Sequence, residues 1–243
     1  MAPEPCLAGT DVAILAGGLG TRTQAMLKTT PKILAPAADA TLLDLLFAWL
    51  ARFGVRRVVL GLGHLAERVV EHIAAHPPDG IEVETVVEPE PLGTAGALRW
   101  MRDKLETDPV VVMNGDTIVD VDACALLDAH RRWNAAATLV CAQLREGARF
   151  GRIEADADHR ILRFAEKGES AGPGLVSAGI YVLSQEFVSE IANSGARSLE
   201  DEVFAVQPSG SMRAFAGAFP FLDIGTPESL ASVGEFVERL RRR

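Results

Sequence analysis

The chain has 243 residues, a net charge of −9 and 48% hydrophobic residues, enough to bury a core in one large domain or two small ones. The acidity excludes a general nucleic-acid binder, because a phosphate-tracking surface needs excess Lys and Arg. No apolar run approaches the ~18–20 residues of a membrane span, and residues 1–11 lack the basic and apolar regions of an export signal.

In chain order, Val12–Ala16 reads as a short apolar strand, followed by a long loop to Pro36. Residues 41–53 carry Leu42, Leu45, Leu46, Trp49, Leu50 and Phe53 at helical spacing, with Gly54 as the stop. A strand is expected at Arg57–Gly61, a helix near 65–76, a strand at 81–87, a helix at 94–105 and a strand at 109–113. A helix near 122–134 and a strand at 136–144 follow. Strands apolar on both faces, alternating with helices, predict an α/β fold with a mostly parallel sheet covered by helices. Beyond residue 145 the pattern changes. Phe150–Ala155 and Arg160–Ala165 alternate apolar with polar around Asp156–His159, which predicts an antiparallel hairpin. Val176–Leu183 is a further strand, and Thr226-Pro227-Glu228 starts a last helix that ends in three arginines. Cys6, Cys124 and Cys141 are odd in number, widely spaced and without a CxxC. They are expected as reduced thiols of a cytoplasmic protein.

The first strand opens into LAGGLGTR, residues 15–22, with three glycines in four positions and a cation at the end. A glycine loop at this place lets backbone N–H groups approach phosphate oxygens without Cβ interference. A dinucleotide fingerprint would need GxGxxG entering a helix, but Gly18-x-Gly20 is followed by Thr21-Arg22-Thr23. No GxxxxGK[ST] string occurs anywhere in the chain. A loop that wraps a nucleoside triphosphate, with Arg22 against its phosphates, is the reading that remains beside a plain structural turn.

Thr30-Pro31-Lys32-Ile33-Leu34 follows, and LAGGLGTR with PKIL resembles the sugar-1-phosphate nucleotidyltransferases. The resemblance continues through Glu88-Pro-Glu-Pro-Leu-Gly-Thr-Ala-Gly-Ala-Leu98, Asn114-Gly115-Asp116, Phe150-Gly151-Arg152-Ile153, Glu166-Lys167, Ser177-Ala-Gly-Ile-Tyr181 and Asp223-Ile-Gly225. It implies one nucleotidyltransferase domain of Rossmann-like, three-layer α/β/α (glycosyltransferase-A-like) fold. Residues about 10–145 would form a nucleotide-binding half, about 146–225 a sugar-phosphate half with a small antiparallel part, and 226–243 a C-terminal helix.

The reaction so implied is attack of a sugar-1-phosphate oxygen on the α-phosphate of a nucleoside triphosphate, releasing pyrophosphate. Two polyanions must meet, so neutralisation and positioning carry the catalysis. By resemblance Arg22 grips the β/γ-phosphates, Lys32 reaches the α-phosphate, and Asp116 with Asp223 holds Mg²⁺, a hard cation that takes few carboxylates. Leu15, Ala16, Gly17, Gly18, Gly20, Thr21, Glu88, Leu92, Gly93, Thr94 and Asn114 would bind the nucleotide. Gly115, Gly151, Glu166, Lys167, Ser177 and Gly179 would bind the sugar phosphate. The family often has proline after the Glu-Lys pair and asparagine before AGIY; here Gly168 and Ser177 stand there, which leaves the sugar contact open.

Glu88 stands where uridylyl members commonly have a glutamine that reads uracil. A carboxylate only accepts hydrogen bonds. Guanine offers the adjacent donors N1–H and N2–H₂, whereas uracil sets two carbonyls beside one N–H, so Glu88 favours GTP. GLGTR, PLGTAGAL, NGDT, SAGIY and DIGTPES together resemble most the guanylyltransferases of D-glycero-α-D-manno-heptose 1-phosphate, which serve capsule and surface glycans. Mannose-1-phosphate guanylyltransferases, uridylyl or thymidylyl relatives, and a catalytically silent nucleotide-sugar sensor are the alternatives. A homo-oligomer is compatible with these residues; a membrane or nucleic-acid partner is not expected.

Overall fold

In the computed structural model, residues 5–18, 20, 27, 29–144, 151–165 and 172–241 are described. Strand β1 is Val12–Ala16. A 3₁₀ turn at Lys32–Leu34 precedes the two-residue strands β2 (Pro36–Ala37) and β3 (Ala40–Thr41), which pair as a tight hairpin. Helix α1 (Leu42–Arg52) begins with a reciprocal cap between Thr41 and Asp44, and its Leu42, Leu43, Leu46, Phe47 and Leu50 are buried. Each contributes about 1.5–3 kcal/mol of apolar burial. Gly54, at φ 75°, ends it as expected.

β4 (Arg57–Leu62), α2 (Ala66–Ala75), β5 (Glu82–Val87), α3 (Gly93–Met101) and β6 (Val110–Asn114) follow. The expected helix at 94–105 stops at Met101 and tightens into a 3₁₀ turn at Arg102–Lys104. Next come β7 (Thr117–Val119), α4 (Ala123–Trp133) capped by Asp122, and β8 (Ala137–Leu144). The second part holds β9 (Arg152–Ala155), β10 (Ile161–Ala165), β11 (Gly174–Leu183), α5 (Gln185–Ser194), a π-helical turn at Leu199–Phe204, β12 (Arg213–Gly217) and β13 (Phe221–Asp223).

The single final helix is a correction. The chain forms α6 (Pro227–Ala231) and α7 (Val233–Arg241), with the break at Ser232. Ser232 Oγ donates to the Ser229 carbonyl at 2.9 Å, competing with helix continuation. The cysteine reading is a second correction. Cys6 and Cys124 are joined as a disulfide with Cα atoms 5.6 Å apart, across 118 residues of sequence. Such proximity is tertiary, so spacing along the chain could not reveal it; only Cys141 is a free, buried thiol among the described residues.

The main row of the sheet is β5-β4-β1-β6-β11-β8-β12. β1 pairs parallel with β4 and β6, and β4 with β5. β11 runs antiparallel to both β6 and β8, while β12 is parallel to β8. All strands of this row therefore point one way except β11. The β9–β10 hairpin joins through β9 at Leu175 and Val176, on the other end of β11 from β6. Alternate residues of β1 enter opposite cores: Val12 and Ile14 face the layer with α1 and α4, Ala13 and Leu15 the layer with α3 and α5. The result is three layers with a mixed, mostly parallel sheet in the middle. The order changes direction at β1, whose neighbours are β4 and β6, and such switch points open a crevice at the strands' carboxyl ends.

Candidate active site

A cleft of about 450 Å³ lies at that crevice. Its walls include Leu15, Ala16, Gly17, Gly18 and Gly20 after β1, Lys32, Glu88, Gly93, Thr94, and Asn114-Gly115-Asp116 after β6.

Gly115 is placed by close packing. Its N–H donates to the Leu15 carbonyl at 2.8 Å, and a Cβ there would meet that oxygen and Ile33 Cδ1, each at 3.0 Å. The turn delivers Asp116, whose Oδ2 accepts from Lys32 Nζ at 2.6 Å. The Asp116 carbonyl accepts from the Ile224 N–H at 2.9 Å, and Asp223 stands opposite Thr117 in the β7–β13 pair. Two carboxylates distant in sequence thus lie on adjacent backbones. Asp223 Oδ1 also accepts from the Gly225 N–H at 3.0 Å, and Gly225 lines the cleft. Among the described residues no three His, Cys, Asp or Glu side chains gather. The donor set is two carboxylates, which suits a hard cation that keeps phosphate and water ligands.

Glu88 closes the opposite wall. It is 8% exposed at the end of β5, and its Oε2 accepts from the Leu92 N–H at 3.0 Å. Burial raises its pKa above the ordinary carboxylate value, and the Leu92 N–H partly offsets the shift. Gly17 packs directly on this carboxylate, so a Cβ there would land on Glu88 Oε1. Gly93, at φ 78°, packs on the Arg197 carbonyl, and Thr94 Oγ1 accepts from the Leu199 N–H at 2.8 Å.

The sugar-side candidates flank the cleft. Ser177 and Gly179 lie at an irregularity in the β8–β11 pairing. Gly179, at φ 69°, leaves room for Asn114, whose Nδ2 would lie 3.0 Å from a Cβ. Gly151 precedes β9. Thr21, Arg22, Glu166 and Lys167 lie outside the described residues. One residue of the cleft wall and one that bonds the wall from behind have no counterpart in the sequence reading. Arg197 lines the cleft and donates to the Pro91 carbonyl at 2.8 Å, and Glu200 bonds Thr94, Asn114 and Tyr181. Both come from the π-helical turn and the segment before it, where no motif marks them.

Comparison with known proteins agrees with this geometry. A profile of the family "Nucleotidyl transferase" matches residues 12–239. The mannose-1-phosphate guanylyltransferase of Mycobacterium tuberculosis is 31% identical over 221 residues, which are 90% of this chain and 62% of that protein. The D-glycero-alpha-D-manno-heptose 1-phosphate guanylyltransferase of Campylobacter jejuni is 31% identical over 217 residues, 88% of this chain and 94% of that one. The chain thus spans less than two thirds of the first relative and almost all of the second. HddC from Yersinia pseudotuberculosis, solved in complex with GMP-PN, superposes with a TM-score of 0.82 at 28% identity, covering 93% of this chain and 98% of that one. A profile match running from β1 into α7, over a sheet whose switch point carries the glycine loop and the paired aspartates, establishes that this chain belongs to the nucleotidyl transferase family.

Proposed function

We propose that the protein transfers a nucleotidyl group from GTP to a sugar 1-phosphate, D-glycero-α-D-manno-heptose 1-phosphate by preference, giving a GDP-sugar and pyrophosphate for capsule or other surface glycans. The observation that carries the transfer is the pairing of Asp116 and Asp223 on adjacent backbones, with Lys32 on Asp116, at the mouth of a glycine cleft. The two carboxylates would hold Mg²⁺, which supplies neutralisation of the phosphates when bound. Lys32 lines the cleft with its ammonium 2.6 Å from Asp116, and would meet the α-phosphate of a bound triphosphate there. The glycines of residues 17–20 let backbone donors approach the triphosphate, and Arg22 and Lys167 are assigned by resemblance to its leaving phosphates and to the sugar phosphate.

Glu88 supports guanine, as a buried acceptor on the cleft wall beside the turn at Leu92–Thr94. The near-complete overlap with a heptose enzyme supports the sugar. Mannose 1-phosphate is the second reading, favoured by the relative from Mycobacterium tuberculosis. A silent sensor is disfavoured because Arg22, Lys32, Asp116 and Asp223 are all present in the sequence.

The deciding experiment sets four nucleoside triphosphates against mannose, glucose and heptose 1-phosphates, with pyrophosphate release read with and without Mg²⁺. GTP with the heptose is expected to be fastest, and only with Mg²⁺. Preference for UTP or dTTP would overturn the guanine reading, and metal-independent turnover would overturn the role of the aspartates. No helix among the described residues is long and apolar enough to cross a membrane. A cytoplasmic setting follows from the nucleotide substrate, and the Cys6–Cys124 disulfide is the observation that stands against it.

A further inference from the structure

Glu200 projects from the π-helical turn Leu199–Phe204 into the seam between the nucleotide wall and β11. Its Oε1 accepts from Tyr181 Oη at 2.6 Å and from Asn114 Nδ2 at 3.4 Å, and its Oε2 accepts from Thr94 Oγ1 at 3.3 Å. A carboxylate only accepts, so every group facing it must turn a donor inward. Tyr181 is fully buried and its phenol is held neutral, first by burial and then by Glu200, so it is the donor in that bond.

The same logic fixes Asn114. Its NH₂ must face Glu200, which turns its carbonyl oxygen the other way. That Oδ1 is buried and has no hydrogen-bond partner among the described residues. Asn114 lines the cleft, one residue from Gly115 and two from Asp116. A buried acceptor without a donor is costly and uncommon in a native protein. Here the arrangement is enforced, because turning the amide over would set a carbonyl against a carboxylate.

We propose that Glu200 is a positioning residue that locks the Asn114 amide so that its Oδ1 accepts a hydrogen bond from a hydroxyl of the bound substrate. Asn114 packs on Gly179 of β11 and shares Glu200 with Thr94 of the nucleotide turn, and Asn114 and Thr94 both line the cleft, so the hydroxyl belongs either to the ribose of the nucleotide or to the sugar phosphate. Both present the same chemistry, an alcohol donor to an oriented amide oxygen. The proposal rests on the nucleotidyl-transfer reading only for the choice of probes.

The test reads binding directly by calorimetry on the full-length protein. The probes are GTP with its 2′-deoxy and 3′-deoxy forms, and mannose 1-phosphate with its monodeoxy forms. In the wild type one deoxy compound is expected to bind about tenfold more weakly than its parent. In Asn114→Ala that gap closes, and parent and deoxy compound bind alike. In Glu200→Gln it shrinks to about threefold or less, because a glutamine amide accepts either face of Asn114. Tyr181→Phe removes the other donor from the same carboxylate oxygen and keeps the gap. A gap in the nucleotide arm identifies the ribose, and one in the sugar arm the sugar phosphate.

The idea fails if no deoxy compound is discriminated, or if the gap survives in Asn114→Ala. It fails equally if Glu200→Gln folds and keeps the full gap, or if Tyr181→Phe closes it as completely as Glu200→Gln, since Glu200 is then a strut of the fold. Should Glu200→Gln not fold, Asn114→Ala and Tyr181→Phe decide by the same criteria. A protein that binds these compounds yet transfers nothing would refute the proposed function and leave this result standing.

Discussion

Glu88 is the residue whose chemistry makes the sharpest demand. Its glutamine variant replaces one acceptor with a donor, and a donor facing guanine N–H groups costs on the order of 1–3 kcal/mol. Glu88→Gln should therefore lower kcat/KM for GTP roughly ten- to hundredfold while UTP use falls less or rises; equal losses would make Glu88 a support for Gly17 and the Leu92 turn only. The raised pKa adds a pH signature. Guanine needs the ionised form, so the wild type's affinity for GTP should drop as pH falls through that raised value, and Glu88→Gln should lack this component. Affinity at several pH values, compared between the two proteins, measures it. Asp116→Asn and Asp223→Asn should each abolish turnover at saturating Mg²⁺ while leaving the thermal melt near wild type. Near-normal rates in either would remove the metal assignment.

The elements show why part of the site was legible in the sequence and part was not. β1, β4, β5, β6 and α1 came out within a residue or two, because buried strands and a capped amphipathic helix write their periodicity locally. Asp116 and Glu88 were singled out through the resemblance, Asp116 in Asn114-Gly115-Asp116 just past an apolar strand and Glu88 five residues before Gly93. Glu200 was not, since Leu199–Phe204 sets three consecutive acids between apolar residues as many exposed turns do, and only the return of the chain over Thr94 gives it meaning. β12, α5 and the break at Ser232 escaped as well, although Ser184 and Gly195 are ordinary helix boundaries in hindsight. Within α4, His130 is 5% exposed and its Nδ1 lies 3.0 Å from Thr138 Oγ1 on β8. Burial depresses its pKa to about 4. The folded state then binds fewer protons than the unfolded one between pH 6.5 and 4, so this stability is full above 6.5 and is lost as pH falls. At ~1.4 kcal/mol per unit the loss is about 3 kcal/mol, to be read as denaturant midpoints of wild type and His130→Gln over that range. Parallel pH curves for the two proteins would exclude it.

At the scale of the molecule, the Cys6–Cys124 bond ties the N-terminal turn to the start of α4 across 118 residues. A loop of that size, closed before folding, stabilises by about 4–5 kcal/mol when the native geometry is undisturbed. Reductant should lower the melting temperature of the wild type and leave a Cys6→Ser, Cys124→Ser double variant unmoved. Identical melts of oxidised and reduced wild type would show that the bond contributes nothing. β11 carries a different consequence. It lies against β6 on one edge and against β8 on the other, and it is the strand that runs against the rest of the row. Cutting the gene after Leu144 would leave β6 with a bare row of peptide groups along its most buried flank, the kind of edge that captures other chains. The parts of the chain before and after Leu144 are therefore not separable modules. The piece up to Leu144 should aggregate when expressed alone, and should become soluble when the remaining piece is supplied in the same cell. β11 makes the piece up to Leu144 a tenant of a sheet that only the whole chain can close.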